Sequence, residues 1–189
     1  MPKINLKLLL ENYSNNLCNK IFKYTVLNRT KNKDDNVIIR FYNENLCHLL
    51  GLQHVYDKST KYLGESGYNL IKEEKLTVNS LKQHNAKGYN YIKIKLKHFD
   101  EIYDIMTNGV LIRFKPELVY PRTIITADFL LIKDNATYIL HLFLRKEYEN
   151  SDNYAPVSFV VHTDKDDHYR QYINHPEYKR ITSFEEIKL

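Results

Sequence analysis

The sequence has no tryptophan and only two cysteines, five glycines and five prolines in 189 residues, and each scarcity removes a class of protein. Cys18 and Cys47 cannot build a disulfide framework, and no Cys-x-x-Cys pair points to zinc. Both read as small, partly buried hydrophobes in a reducing compartment, so the cytoplasm is the expected location. There is no G-x-G-x-x-G or G-x-x-x-x-G-K-[ST] loop and no His-Glu-x-x-His, which argues against the common nucleotide-cofactor and zinc-hydrolase classes. Acidic pairs such as Asp34-Asp35, Glu73-Glu74 and Asp166-Asp167 read as surface charge. They are not the cluster that a two-metal nuclease needs, so neither a metal nor a cofactor is expected. The longest apolar runs are Leu8 to Leu10, Val37 to Ile39 and Phe129 to Ile132, far short of the roughly 20 residues of a membrane span. The start Met-Pro-Lys-Ile-Asn, with Lys7 inside the first apolar stretch, argues against a secretory leader. The Asn-x-Ser/Thr triplets at Asn12, Asn28 and Asn135 then carry no weight.

What is present is an ordinary globular composition, 43% hydrophobic and 27% charged with a formal charge of +5. A chain of this length buries about 70% of its unfolded surface, so one domain over 1–189 is expected. Sixteen tyrosines among many Lys, Asn and Ile fit AT-rich coding of a bacterial or phage kind.

Hydrophobic spacing near three and four predicts an amphipathic helix over 3–22, from Ile4, Leu8, Leu9, Tyr13, Leu17 and Ile21. Residues 23–28 and 37–42 read as a β-hairpin with its polar tip at 29–36. A compact apolar segment, Asn45 to Leu52, follows and is closed by Gly51, and 53–68 reads as a surface loop. A second helical region begins near Tyr68. Thr77 is the expected N-cap of a helix over 78–84, and 90–107 reads as one helix stopped by Asn108-Gly109. Strands are predicted at 110–115, 123–133, 137–146 and 157–162, with Asp134-Asn135 as a turn. A helix over 164–174 and a loosely attached tail, 175–189, complete the chain. The fold class is α+β: a twisted antiparallel sheet of four to five strands with helices packed on one face.

Strand alternation sorts the polar residues of the last strands. Tyr138, Leu140, Leu142 and Leu144 share one face, and Ile139, His141, Phe143 and Arg145 the other. If helices cover the leucine face, the open face gathers His141, Arg145, Ser158 and His162. Those types suit phosphate-ester chemistry, with imidazoles for protons, a guanidinium for phosphate and a hydroxyl to orient it. They equally suit the plain wet face of an antiparallel sheet. His48, set among Leu46, Cys47, Leu49 and Leu50, is either a working imidazole or a core histidine satisfied by a carbonyl. Basic residues alternate with tyrosines at Lys58, Lys61 and Tyr62, and again at Lys82, Lys87, Tyr89, Tyr91, Lys93, Lys95 and Lys97. This is the pattern of a nucleic-acid track, or the wet side of a helix.

The run Phe41-Tyr-Asn-Glu-Asn-Leu-Cys-His48-Leu-Leu-Gly51-Leu52, with Ile125-Thr-Ala-Asp128-Phe-Leu-Leu, Tyr138-Ile-Leu-His-Leu-Phe-Leu144 and Pro156-Val-Ser158-Phe159, resembles the fourth family of phage-carried barnase–EndoU–colicin–RelE-like nucleases. The similarity runs from about Tyr24 to Tyr172. The resemblance implies the family's BECR fold, its active site on the open sheet face, and a metal-independent, toxin-type endoribonuclease that cleaves RNA through the 2′-OH. It carries over His48, Lys82 and Ser158, and together with the strand face and the basic track it makes His48 the principal acid/base, puts Lys82 and Arg145 on the phosphate and gives Ser158 the orienting role. Lys58, Tyr62, His141 and His162 are then substrate-binding. An arginine expected near Lys93 to Lys97 is replaced by lysines. The implied partners are RNA, with tRNA among the candidates, and an antitoxin or a host or phage protein; no membrane is implied. Two other readings stand beside it: a catalytically inactive RNA- or protein-binding module on the same scaffold, and a nucleotidyl- or ADP-ribosyl-type transferase.

Overall fold

Alternation in Ile21 to Leu27 decides the first departure from the expected helix. Phe22, Tyr24 and Val26 are buried and their neighbours are not, a period of two that belongs to a strand. In the computed structural model, which describes residues 4–28, 33–57, 59–166, 172 and 181–189, helix α1 therefore spans only Leu6–Tyr13. A π-helical turn, Ser14–Cys18, follows, and strand β1 begins at Lys20. Asn5 caps α1 by accepting from the Lys7 and Leu8 amides at 2.9 and 3.3 Å.

The fold is α+β, and its contacts divide it into two units, Met1–Asn19 with Phe41–Glu101, and Lys20–Arg40 with Ile102–Leu189. The first unit is helical. It holds α1, α2 (Asn45–Leu50), α3 (Gly64–Lys72), α4 (Val78–His84) and α5 (Ala86–Lys97), with short 3₁₀ turns at Leu52–His54, Thr60–Tyr62 and Phe99–Glu101. Thr77 caps α4 in a reciprocal capping box with Ser80. Tyr13 anchors the core, packing edge-on against Phe41 with centroids 6.0 Å apart and donating to the Tyr42 carbonyl at 2.8 Å. The region 53–68, expected as loop, contains the first 3₁₀ turns and the start of α3.

The second unit is a mixed sheet of seven strands in the order β3-β4-β5-β6-β2-β1-β7. β1 (Lys20–Asn28) and β2 (Lys33–Arg40) form the expected antiparallel hairpin. β3 (Val110–Arg113), β4 (Phe129–Asp134), β5 (Tyr138–Lys146) and β6 (Asn153–Thr163) form the meander. Two pairings raise the expected four or five antiparallel strands to seven. β6 lies parallel to β2 through Ile38↔Asn153 and Ile39↔Tyr154, which fuses hairpin and meander. Ile181–Lys188, expected as loose tail, is β7, antiparallel to β1. It is fixed there by Phe184 packed on Phe22 and Tyr24, and by Glu186, which takes Lys20 at 3.0 Å and the Tyr103 hydroxyl at 2.8 Å.

The helix expected over 90–107 is two. α5 ends at Lys97 with His98 as C-cap, and α6 (Ile102–Asn108) belongs to the sheet unit. There α6 packs against β4 and β5. Lys133 pairs with Asp104, and the Tyr24 hydroxyl donates to the Met106 carbonyl. The opposite face of the meander is not open. Phe114, Val119 and Tyr172 are buried with Ile112, Leu130, Ile132, Ile139 and Phe143, and Ile125, Ala127 and Val157 pack against them. Of the strand expected over 123–133 only the part from Phe129 pairs regularly, and the stretch before it, with Ile125 and Ala127, folds over the sheet. The register shifts at a bulge between Phe143 and Leu144, and Val157 packs on the Phe143 side of the meander. The helix expected over 164–174 falls mainly outside the described residues.

Candidate nucleic-acid interface

Helix α2 buries Leu46, Cys47, Leu49 and Leu50 and turns His48 outward. The core-histidine alternative for His48 is thereby removed: its apolar sequence neighbours lie on the other side of the helix. Gly51 ends α2 in the left-handed region, φ +85°, with its amide bonded to the His48 carbonyl at 2.9 Å. A Cβ there would meet Ile92 Cγ2 of α5 at 2.9 Å, so the closing glycine also sets how near α5 approaches. The next turn carries His54. Its carbonyl lies 2.3 Å from where a Cβ of Gly88 would stand, so a glycine inside α5 lets the His54 backbone sit directly on the helix.

These two close approaches bring three basic groups together. Lys95 Nζ and His54 Cδ2 lie 3.4 and 3.6 Å from the same point, the Cβ position of Gly51. Burial, then the positive charge of Lys95 and the proximity of His48, hold His54 below its ordinary value of 6.5. Burial alone pushes the Lys95 ammonium down to about 8. At neutral pH the arrangement is a neutral, exposed imidazole at His54 beside a poorly solvated cation. Such a pair can accept a proton and stabilise an oxyanion. Along α5, Lys87, Tyr91 and Lys95 recur every four residues and so share one side of the helix. The Tyr91 ring leans on His54 with centroids 4.7 Å apart. A cavity of about 240 Å³ is lined by His54, Asn85, Lys87, Gly88 and Tyr91.

Other sites from the sequence fall nearby or elsewhere. Tyr62 stacks on Tyr56 at 3.8 Å and 14°, and His84 leans on Tyr56 at 4.4 Å. Lys61 Nζ lies 5.4 Å from the Tyr62 ring centre. Lys82 is exposed on α4, its Nζ 5.1 Å from the Tyr89 ring. Lys58 lies outside the described residues.

The sheet unit holds the remaining four. Arg145 is exposed near the end of β5, opposite Ala155. Ser158 is half-buried opposite Phe143. His141, expected on an open face, is 0% exposed beneath the apolar cover. Its ring stands edge-on to His162 and Tyr172 at 5.2 and 5.1 Å, and His162 stacks on Tyr172 at 12°. Neither nitrogen of His141 has a well-formed hydrogen bond. Burial, then His162, pushes it down to about 3, against a weak opposing pull from the Val160 backbone. A neutral imidazole sealed from solvent cannot touch a polymer, so His141 is corrected from substrate-binding to core.

Burial also pushes the Cys18 and Cys47 thiols up, to about 11 and about 12, so neither is a nucleophile near neutral pH. Among the described residues no group of three or more His, Cys, Asp or Glu is placed to hold a metal ion. No helix among them is long and apolar enough to cross a membrane. His54 and Asn85 were missed in the sequence. The available signals were a histidine three residues beyond a helix-closing glycine, and a helical glycine, Gly88, facing it.

A family model described as phage-Barnase-EndoU-ColicinE5/D-RelE like nuclease4 matches residues 5–188. We found no match among curated proteins or solved structures.

Proposed function

The chain belongs to this phage-Barnase-EndoU-ColicinE5/D-RelE like nuclease family, and from that premise we propose that it is a metal-independent endoribonuclease of toxin type, cleaving RNA by attack of the 2′-oxygen. The observation that carries the reading is the grouping of His54, Lys95 and His48 about the Gly51 turn. His54, held neutral by its surroundings, accepts the proton of the 2′-OH. The 2′-oxygen attacks the adjacent phosphorus, the Lys95 ammonium offsets the charge growing on the phosphorane oxygens, and His48 returns a proton to the departing 5′-oxygen. The phosphodiester bond breaks with no water consumed, leaving a 2′,3′-cyclic phosphate and a 5′-hydroxyl. Each proton transfer contributes roughly 10²–10⁴-fold in rate.

Lys82, exposed on the helical unit that carries this grouping, is assigned to a phosphate along the RNA. Tyr62, on the same unit, contributes a ring contact. In a conflict between phage and host such an enzyme acts in the cytoplasm, with tRNA among its candidate substrates and an antitoxin or phage protein as its restraint. The test is purified protein with labelled RNA in EDTA. His48→Ala and His54→Ala should each lower kcat by roughly 10²–10⁴-fold with folding intact. Full activity in both would remove the catalytic assignment, and RNA bound but never cut would favour the binding module.

A further inference from the structure

We infer that the cavity beside His54 is a nucleobase subsite that takes an unpaired base of single-stranded RNA against the free face of Tyr91. The inference rests on the ribonuclease reading for its ligand class, and on separate geometry for its place. Tyr91 is 68% exposed, far more than a tyrosine kept for packing needs, yet its ring is steadied by His54 at 4.7 Å. That leaves one ring face for stacking. The cavity of about 240 Å³ is smaller than the roughly 300–1,000 Å³ of drug-sized ligand sites, so it suits one base rather than a dinucleotide. Lys87, one turn before Tyr91 and lining the same cavity, supplies a cation for the adjoining phosphate.

The ligand must be unpaired, because a base inside a duplex has both faces covered. Readout of base identity is weak here. The Asn85 carbonyl oxygen already accepts from the Gly88 amide at 2.8 Å, and its amide nitrogen reaches toward the Val55 carbonyl at 3.5 Å. Stacking then tolerates any sequence. With His54 lining the same cavity, the stacked base is the one whose own ribose supplies the attacking 2′-oxygen.

The test uses a 2′-deoxy single strand carrying 2-aminopurine, which lacks the attacking hydroxyl and so reports binding without turnover. The full-length protein should quench the fluorophore. Tyr91→Ala should weaken binding about 5–150-fold and abolish the quench, while Tyr91→Phe keeps both. Lys87→Gln should weaken binding and flatten its salt dependence. Equal binding and quench in Tyr91→Ala, or equal binding of the duplex form, overturns the subsite. If the protein fails to cut RNA yet shows the Tyr91-dependent quench, the cleavage reading falls and the subsite stands. If the protein cuts RNA and Tyr91→Ala binds and cuts as well as wild type, the subsite alone falls.

Discussion

His141 offers a test of the core that requires no substrate. Its ring is wholly buried against His162 and Tyr172 and held down to about 3 from 6.5. Above pH 7 the residue is neutral in both folded and unfolded chains and contributes no pH dependence. Between pH 6.5 and 3 the unfolded chain takes up the proton and the folded one does not, so stability falls as pH falls. At pH 5 the difference is about 2 kcal/mol, and the full shift is worth about 5 kcal/mol at 1.36 kcal/mol per unit. Urea unfolding of wild type, His141→Phe and His141→Leu at pH 7.5 and pH 5.0 isolates this amount. Whatever packing cost the variants carry is the same at both pH values. Relative to wild type, each variant should gain about 2 kcal/mol on going to pH 5. A constant gap between wild type and both variants would mean that the ring is solvated, and the sealed-face description would be wrong.

Other consequences follow from the Gly51 turn and the buried thiols. Gly51→Ala combines a left-handed backbone with contact on Ile92 at 2.9 Å, and should cost about 2–4 kcal/mol in denaturant unfolding. Lys95→Met removes a cation that lowers His54. The His54 resonance should then titrate at higher pH, and no change would separate the two residues. In the folded protein Cys47, pushed up to about 12, should resist a thiol reagent at pH 8 that reacts readily after denaturation. Rapid native labelling would contradict its burial.

The sequence was most readable where the chemistry is local. Thr77 as N-cap, Gly51 as the residue that closes the apolar segment from Asn45, and the hairpin of β1 and β2 depend on a few adjacent residues, and each is seen. The first helix was overrun because Leu17 and Ile21 are spaced by four, which satisfies a helix although Ile21 already belongs to β1. The two helices α5 and α6 read as one over 90–107 for a related reason, since the apolar stripe continues in phase across the break at His98. The parallel contact of β6 with β2 joins segments more than a hundred residues apart, and no local pattern encodes it. The candidate site divided likewise. Basic and tyrosine alternation marked α5, yet Lys95 was indistinguishable from its exposed neighbours Lys93 and Lys97. Its burial beside the Gly51 turn desolvates it. The resemblance identified the family, while strand alternation put His141 on a face with Ser158 and His162 but could not show that Phe114, Val119 and Tyr172 pack over that side of the meander.

Histidine-driven attack of the 2′-oxygen without a metal is tested most directly by end-group analysis of single-stranded RNA cut by the wild-type protein in EDTA. The expected ends are 2′,3′-cyclic phosphate and 5′-hydroxyl, with the product strongly reduced in His54→Ala. Ends bearing 3′-hydroxyl and 5′-phosphate, or cleavage only when a divalent cation is added, would contradict it.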